Sequence, residues 1–166
     1  MADAPLDPAA YRQVIGRFPT GVAVVTSVGE DGPAGLTTNA ISSLSLDPLL
    51  MLVCFDNGSR TLTAVRHAGR FAVSVLRDDQ EEVARVFASK RPGADKLAAV
   101  LHRIHHGVPV VDDAVAWLVC ELRELLPGGD HTIGIGAVVD AGEDPDAAPL
   151  LFHRGAFEQL PDGAAS

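Results

Sequence analysis

The segment from Gly35 to Thr61, GLTTNAISSLSLDPLLMLVCFDNGSRT, limits the folds open to this chain more than any other stretch. It begins strand-like, with Thr37, Thr38, Asn39, Ser42, Ser43 and Ser45 offering hydroxyl and amide groups. It turns at Asp47-Pro48 and enters a dense apolar strand, Leu49 to Phe55. Asn57-Gly58-Ser59-Arg60-Thr61 then leads into a helix start. Two extended segments joined by a tight turn and followed at once by a helix favour a sheet with a helix laid against it. Small neutral donors beside an apolar wall, with a helix N-terminus and an arginine close by, suit a flat aromatic ligand carrying a phosphate. A catalytic nucleophile needs an adjacent base, and this stretch holds none. The segment reads as a binding site.

The flanking sequence supplies the rest of the sheet. Asp7-Pro8 opens a helix whose Tyr11, Val14, Ile15 and Phe18 recur at helical spacing and are expected to form a buried face; Pro19 ends it. Gly21–Ser27 and Leu36–Asn39 are expected to pair as an antiparallel hairpin around the Glu30-Asp31-Gly32-Pro33 turn. Ser59–Ala68 is a short helix closed by Gly69. Arg70–Leu76 is a strand, Asp78 with Glu81 resembles a capping box, and 94–101 is expected to be helical. Ala116–Leu126 and His131–Val139 are strands, the second with Ile133, Ile135, Ala137 and Val139 on one face. A last strand covers Leu150–His153. The expected fold is mainly β (α+β): a mostly antiparallel sheet closed into a barrel with peripheral helices. A single domain spans 1–166, with its core over about 11–157 and a short flexible C-terminal tail.

Composition narrows the function. The 166 residues suffice for one well-packed core, and 47% hydrophobic content with a mean hydropathy of +0.19 argues against disorder. A net charge of -9 speaks against nucleic acid or an anionic membrane as partner. The longest apolar run, Leu49–Phe55, is too short to span a bilayer, and the start MADAPLDPAAY has no secretory character, so a cytoplasmic protein is expected. The two cysteines, Cys54 and Cys120, sit in apolar strand patterns and read as small buried hydrophobes.

Single motifs settle less. Gly134-Ile-Gly136 lacks a third glycine and a following helix, so it is no dinucleotide fingerprint; the glycines are expected to admit another backbone or a ligand ring. His102, His105 and His106 are expected to share a helical face, but no cysteine or carboxylate stands at ligand spacing beside them, and no metal is expected. His67 and His153 read as surface or packing residues. His131, at a strand mouth behind two glycines and beside Asp130, reads equally as a ligand contact and as a turn residue satisfied by Asp130. Arg60 and Lys90 are candidate phosphate partners, although either alone is more often a solvated charge.

Taken in order, Phe18–Thr26 (FPTGVAVVT), Gly35–Ala40 (GLTTNA), Ser45–Pro48 (SLDP), Phe71–Leu76 (FAVSVL), Phe87–Ser89 (FAS) and Gly129–Thr132 (GDHT) resemble the flavin reductase-like family, the reductase components of two-component flavin-dependent monooxygenases. The resemblance runs from Tyr11 to Phe157. It implies an FMN-binding split barrel acting as a homodimer. It also implies reduction of free FAD or FMN by NADH or NADPH, with reduced flavin passed to a monooxygenase component. On this resemblance Thr37, Thr38, Asn39, Ala40, Ser42 and Ser43 hold the flavin's polar edge and ribityl chain. Cys54, Phe55, Asn57, Ser59, Arg60 and Thr61 lie along ring and phosphate, joined by Phe87 and Lys90, and His131 lies near the nicotinamide. Ala40 stands where the family often has serine, and Leu49 replaces the second proline of Asp-Pro-Pro. A non-catalytic flavin-binding protein, or an enzyme that retains its flavin and acts on an organic substrate, remains the alternative. The residues suit the same chemistry, since hydride transfer to flavin needs two stacked rings and excluded water with no protein acid or nucleophile, and the 5% aromatic content with a modest set of cofactor contacts favours an exchangeable flavin.

Overall fold

A computed structural model describes residues 6–161. In chain order the elements are α1 (Pro8–Ile15), β1 (Thr20–Gly21), β2 (Ala23–Gly29), β3 (Gly32–Thr38), β4 (Ile41–Leu46), β5 (Leu49–Asp56), α2 (Arg60–Ala68), β6 (Arg70–Val75), α3 (Glu81–Ala88) and α4 (Gly93–Ala98). There follow β7 (His102–His105), β8 (Val108–Val111), β9 (Ala116–Gly128), β10 (His131–Glu143), β11 (Leu151–His153) and β12 (Ala156–Glu158). Seven strands form one antiparallel sheet in the order β3-β2-β6-β9-β10-β5-β4.

The sheet curls without closing. Its two outer strands, β3 and β4, are consecutive in the chain but share no ladder, so the expected closed barrel is a split one. Leu36 of β3 and Ile41 of β4 nonetheless pack on the same core, built from Ala23, Val25, Met51, Val53, Phe55, Phe71, Val73 and Cys120 with Leu62 and Val65 of α2. Alternation explains the choice: Met51, Val53 and Phe55 point inward, while Leu50, Leu52 and Cys54 lie on the half-buried outer side. β2 is buried on both faces, because its outer Val24, with Val22 just before it, meets Ala84 and Phe87 of α3 and Leu97 of α4. The β7–β8 hairpin covers a third patch at Ala72 and Val119.

Several expectations need correction. Tyr11, Val14, Ile15 and Phe18 are 49–69% exposed, and no residue of α1 is buried, so nothing among the described residues covers this apolar face. Residues 102–105 form a strand and not a helix, because Val108–Val111 returns beside them. The capping box at Asp78 is absent: Gln80 is the N-cap of α3, and its side-chain oxygen accepts from Arg77 N–H at 2.9 Å. Register shifts at Ile135/Gly136 and Val138/Asp140 break the alternation of β10, so Val138 packs on the core while Val139 turns out to solvent. Gly134 and Gly136 admit rings of the protein itself: a Cβ would meet Phe55 Cε2 at 2.8 Å and Phe71 Cζ at 2.6 Å. The 21–27/36–39 hairpin, the 59–68 helix with left-handed Gly69 (φ 62°), and the strands over 49–55, 70–76, 116–126 and 131–139 stand as read. The C-terminal tail beyond Pro161 lies outside the described residues. No helix among the described residues is long and apolar enough to cross a membrane.

Candidate functional site

Five chain segments meet at one end of the sheet. Strand β4 is an edge, paired only with β5, and Ser42 and Ser43 on it are exposed. An edge strand offers unpaired backbone donors and acceptors, here beside exposed hydroxyls, of which Ser42 Oγ donates to Ser43 O at 2.9 Å. The turn from β3 into β4 is tied to β5 by Cys54 N–H donating to Ala40 O at 2.9 Å. The β9–β10 hairpin tip joins through Asn57: its backbone N–H donates to Asp130 O (3.1 Å), its amide donates to Gly129 O (3.2 Å), and its Oδ1 accepts from Thr132 Oγ1 (2.7 Å). His131, paired across the ladder with Asp56, lies over this junction; its Nδ1 is 2.7 Å from Asp130 Oδ1. That hydrogen bond, more than the ring's charge, holds the Asp130 carboxyl below the usual aspartate range.

The fifth segment carries charge. Arg60 Nη2 donates to Lys90 O (3.0 Å) and Arg91 O (2.5 Å), which fixes the loop after α3 against the start of α2. Beneath it Lys96, only 5% exposed, donates from Nζ to Gly35 O (3.0 Å) and Phe87 O (2.8 Å). Burial, and then the nearby Arg60 charge, push the Lys96 ammonium below lysine's ordinary range. No salt bridge among the described residues involves Arg60, Lys90, Arg91 or Lys96. In a chain of net charge -9, a cluster of cations without carboxylate partners favours an anion.

The anticipated residues thus gather, but not all face outward. Phe55 and Phe87 are at most 1% exposed, and their rings fill the core against Gly134 and Gly35; they cannot present a ring to a ligand. The Thr61 side chain is buried too, at 2%. Thr37 Oγ1 donates to Ala84 O (2.6 Å), Thr38 Oγ1 accepts from Ala40 N–H (3.0 Å), and Asn39 Nδ2 donates to Thr20 Oγ1 (3.0 Å), so these polar groups shape the β3–β4 turn. Ser59 Oγ accepts from Thr61 N–H and Leu62 N–H, taking the α2 donors that an anion was expected to use. The groups left wholly or partly open to solvent are Ser42, Ser43, Arg60, Lys90, half-buried Cys54 and the unbonded side of His131, with Ser42 Oγ donating to Ser43 O and Arg60 Nη2 to the Lys90 and Arg91 carbonyls. Lys96 was missed by sequence reasoning. It belongs to a short helix with no motif, and its burial follows from α4 docking on β3 where Gly93 has no Cβ to meet Pro33 O at 1.9 Å.

The family model described as "Flavin reductase like domain" matches residues 15–161. The reductase subunit HsaB of a flavin-dependent monooxygenase from Mycobacterium tuberculosis is 38% identical over 157 residues, covering 93% of this chain and 83% of that protein. An NADH-dependent FAD reductase from Streptomyces globisporus is 41% identical over 160 residues, covering 94% and 87%. Among solved structures, the NADH:FAD oxidoreductase SgcE6 of Streptomyces globisporus, in complex with NAD and FAD fragments, superposes with a TM-score of 0.89 at 37% identity over 98% of this chain and 99% of that one. Together with the split antiparallel sheet, these matches show that the chain belongs to the flavin reductase family.

Proposed function

We propose that the protein is an NADH-dependent flavin reductase that takes up free FAD, reduces it, and releases it to a partner monooxygenase component. The observation that carries this reading is what flanks β5: the exposed Ser42–Ser43 edge strand pairs along it, and the chain leaving it reaches Arg60, which with Lys90 and Arg91 has no carboxylate partner among the described residues. This donor set fits a flavin: hydroxyls and strand-edge amides for its polar rim, guanidinium and ammonium for its phosphate. The half-buried outer side chains Leu52, Cys54, Ile133 and Ile135 give an aliphatic wall next to that edge. When bound, the flavin accepts a hydride from NADH and carries the electron pair away. The chain's own part is to hold the rings, exclude water and place the nicotinamide, for which the Asp130-anchored His131 is the available group. An NADH:FAD relative of known structure and the named monooxygenase subunits support the choice of donor, flavin and partner.

The test is NADH oxidation with FAD varied from catalytic to excess amounts. Turnover should rise with free FAD and saturate. A rate independent of added flavin would make it a retained cofactor, and no oxidation at any flavin concentration would sink the reductase reading.

The bare α1 face points to a homodimer. Tyr11, Val14, Ile15 and Phe18 form an apolar surface that water covers poorly, and a second copy would bury it. Val14→Glu with Phe18→Glu should convert a sedimenting dimer to a folded monomer; a double variant still dimeric at micromolar concentration would place the interface elsewhere.

A further inference from the structure

We propose that His105, His106 and Asp140 form a site for a divalent transition-metal ion, Zn2+ by preference, that clips the β7–β8 hairpin to β10. His105 Nδ1 lies 3.3 Å and His106 Nε2 3.0 Å from the same carboxylate oxygen, Asp140 Oδ2, and all three ligand atoms fall within 4.8 Å of one another. Zinc bonds to imidazole and carboxylate of about 2.0–2.2 Å give tetrahedral ligand–ligand edges of about 3.4 Å. The two His–Asp separations are therefore already near those of a coordination shell.

The backbone on both sides is shaped to bring these groups together. Consecutive strand residues point to opposite faces, so two adjacent histidines do not ordinarily share a partner. Here His106 (φ 48°) and Gly107 (φ 81°) are the two loop residues of the hairpin, both left-handed as a type I′ turn requires. That position favours asparagine or glycine; a histidine there bears some strain, and the turn swings its ring back to the side of His105. On the opposing strand the register shift between Val138 and Asp140 re-aims Asp140 toward the hairpin. Exposed His–carboxylate pairs alone stabilise little, whereas ligation of an ion gives both distortions a return.

Supporting contacts fix the ligands. Asp140 Oδ1 accepts from Ala141 N–H at 2.9 Å, leaving Oδ2 for the histidines. Arg70 Nη1 donates to His106 O at 2.9 Å and holds the turn. The Trp117 ring flanks His105 at 4.6 Å between centroids and lies close over Gly142, where a Cβ would approach the indole to 2.7 Å. Outer contacts of this kind orient metal ligands. Three protein ligands leave a position for water, and two imidazoles with one carboxylate suit Zn2+, with Cu2+ bound more tightly still. The site is nine residues along β10 from His131, about 30 Å away at strand rise, so it is separate from the flavin end of the sheet.

Trp117 is the only tryptophan, which makes the test direct. Cu2+ added to the full chain should quench most of its emission, saturating at one equivalent and recovering with EDTA. Excess Zn2+ added first should move the Cu2+ quenching midpoint to higher Cu2+ concentration, as a weaker competitor does, and Zn2+ alone should raise Tm by about 3 °C or more. Asp140→Asn, and separately His105→Ala with His106→Ala, should weaken Cu2+ binding at least about tenfold and abolish the Zn2+ shift. Quenching of equal midpoint in Asp140→Asn would overturn the site. Should a variant fail to fold, the wild-type chain decides alone: emission unchanged at one equivalent of Cu2+, or excess Zn2+ that neither shifts the Cu2+ midpoint nor moves Tm, overturns it as well.

Discussion

Valine at position 136 is expected to destabilise the protein by about 3 kcal/mol, read as a lowered urea midpoint at unchanged m-value. Gly136 lies in β10 against the core side chains Phe71 and Cys120. A Cβ there would stand 2.6 Å from Phe71 Cζ, 2.9 Å from Phe71 Cε1 and 2.7 Å from Cys120 Cβ. Neither neighbour has anywhere to go. Phe71 and Cys120 are both fully buried, and Phe71 meets Phe55 edge-on, with ring centroids 6.2 Å apart. A displaced Phe71 pushes on Phe55, which already occupies the space left by Gly134. Burial of the same kind pushes the Cys120 thiol up to about 12, so it stays protonated and acts only as a small apolar filler. The control is Gly21→Ala: nothing lies within 4 Å of a Cβ at that position, and its stability should change by less than about 0.5 kcal/mol. A loss below about 1 kcal/mol for Gly136→Val would mean that the core is looser than these contacts require.

The same two glycines show where sequence reading succeeds and where it stops. Period and turn chemistry are local, so the strand over Leu49–Phe55, the Ser59-capped helix ended by Gly69, and the β2–β3 hairpin could be read directly. That Gly134 and Gly136 admit something close could be read too, but not what: the answer depends on Phe55 and Phe71, brought there by pairing across the sheet. The histidines of residues 102–106 failed for a related reason. Their spacing fits a helix, yet Val108–Val111 supplies a strand partner, and the carboxylate that faces them comes from Asp140 on another strand. Tyr11, Val14, Ile15 and Phe18 have a sound helical period but no surface to meet among the described residues. The candidate flavin site was legible as a set of segments, since Gly35–Thr61 is continuous. Which of its side chains are free was not: Ser59 is spent on its own helix, Thr37 on α3, and Lys96 enters from a helix without any motif.

His131→Ala is expected to lower kcat/KM for NADH about thirtyfold, roughly 2 kcal/mol of transition-state stabilisation, while FAD binds as before. The ring is 43% exposed, so it has a free face to offer, and it is aimed by two constraints. The backbone of His131 is locked between Asp56 and Gly128 in the ladder, and Nδ1 is held by Asp130, which leaves Nε2 outward. A positioned group of this kind acts by narrowing the approach of the nicotinamide, not by moving a proton, because hydride transfer needs none from the protein. The loss should therefore be divided between kcat and KM, without a new pH dependence. His131→Gln should recover part of it by keeping a polar group in place. Asp130→Asn should cost only a few-fold, since an amide oxygen still accepts from the ring. The flavin side meets this pair only through backbone: Asn57 N–H donates to Asp130 O, while Arg60, Lys90 and the Ser42–Ser43 edge bond to neither residue among the described hydrogen bonds. Equal losses in FAD affinity and NADH turnover would instead make His131 part of the flavin wall, and unchanged NADH kinetics would leave it a turn residue satisfied by its neighbour.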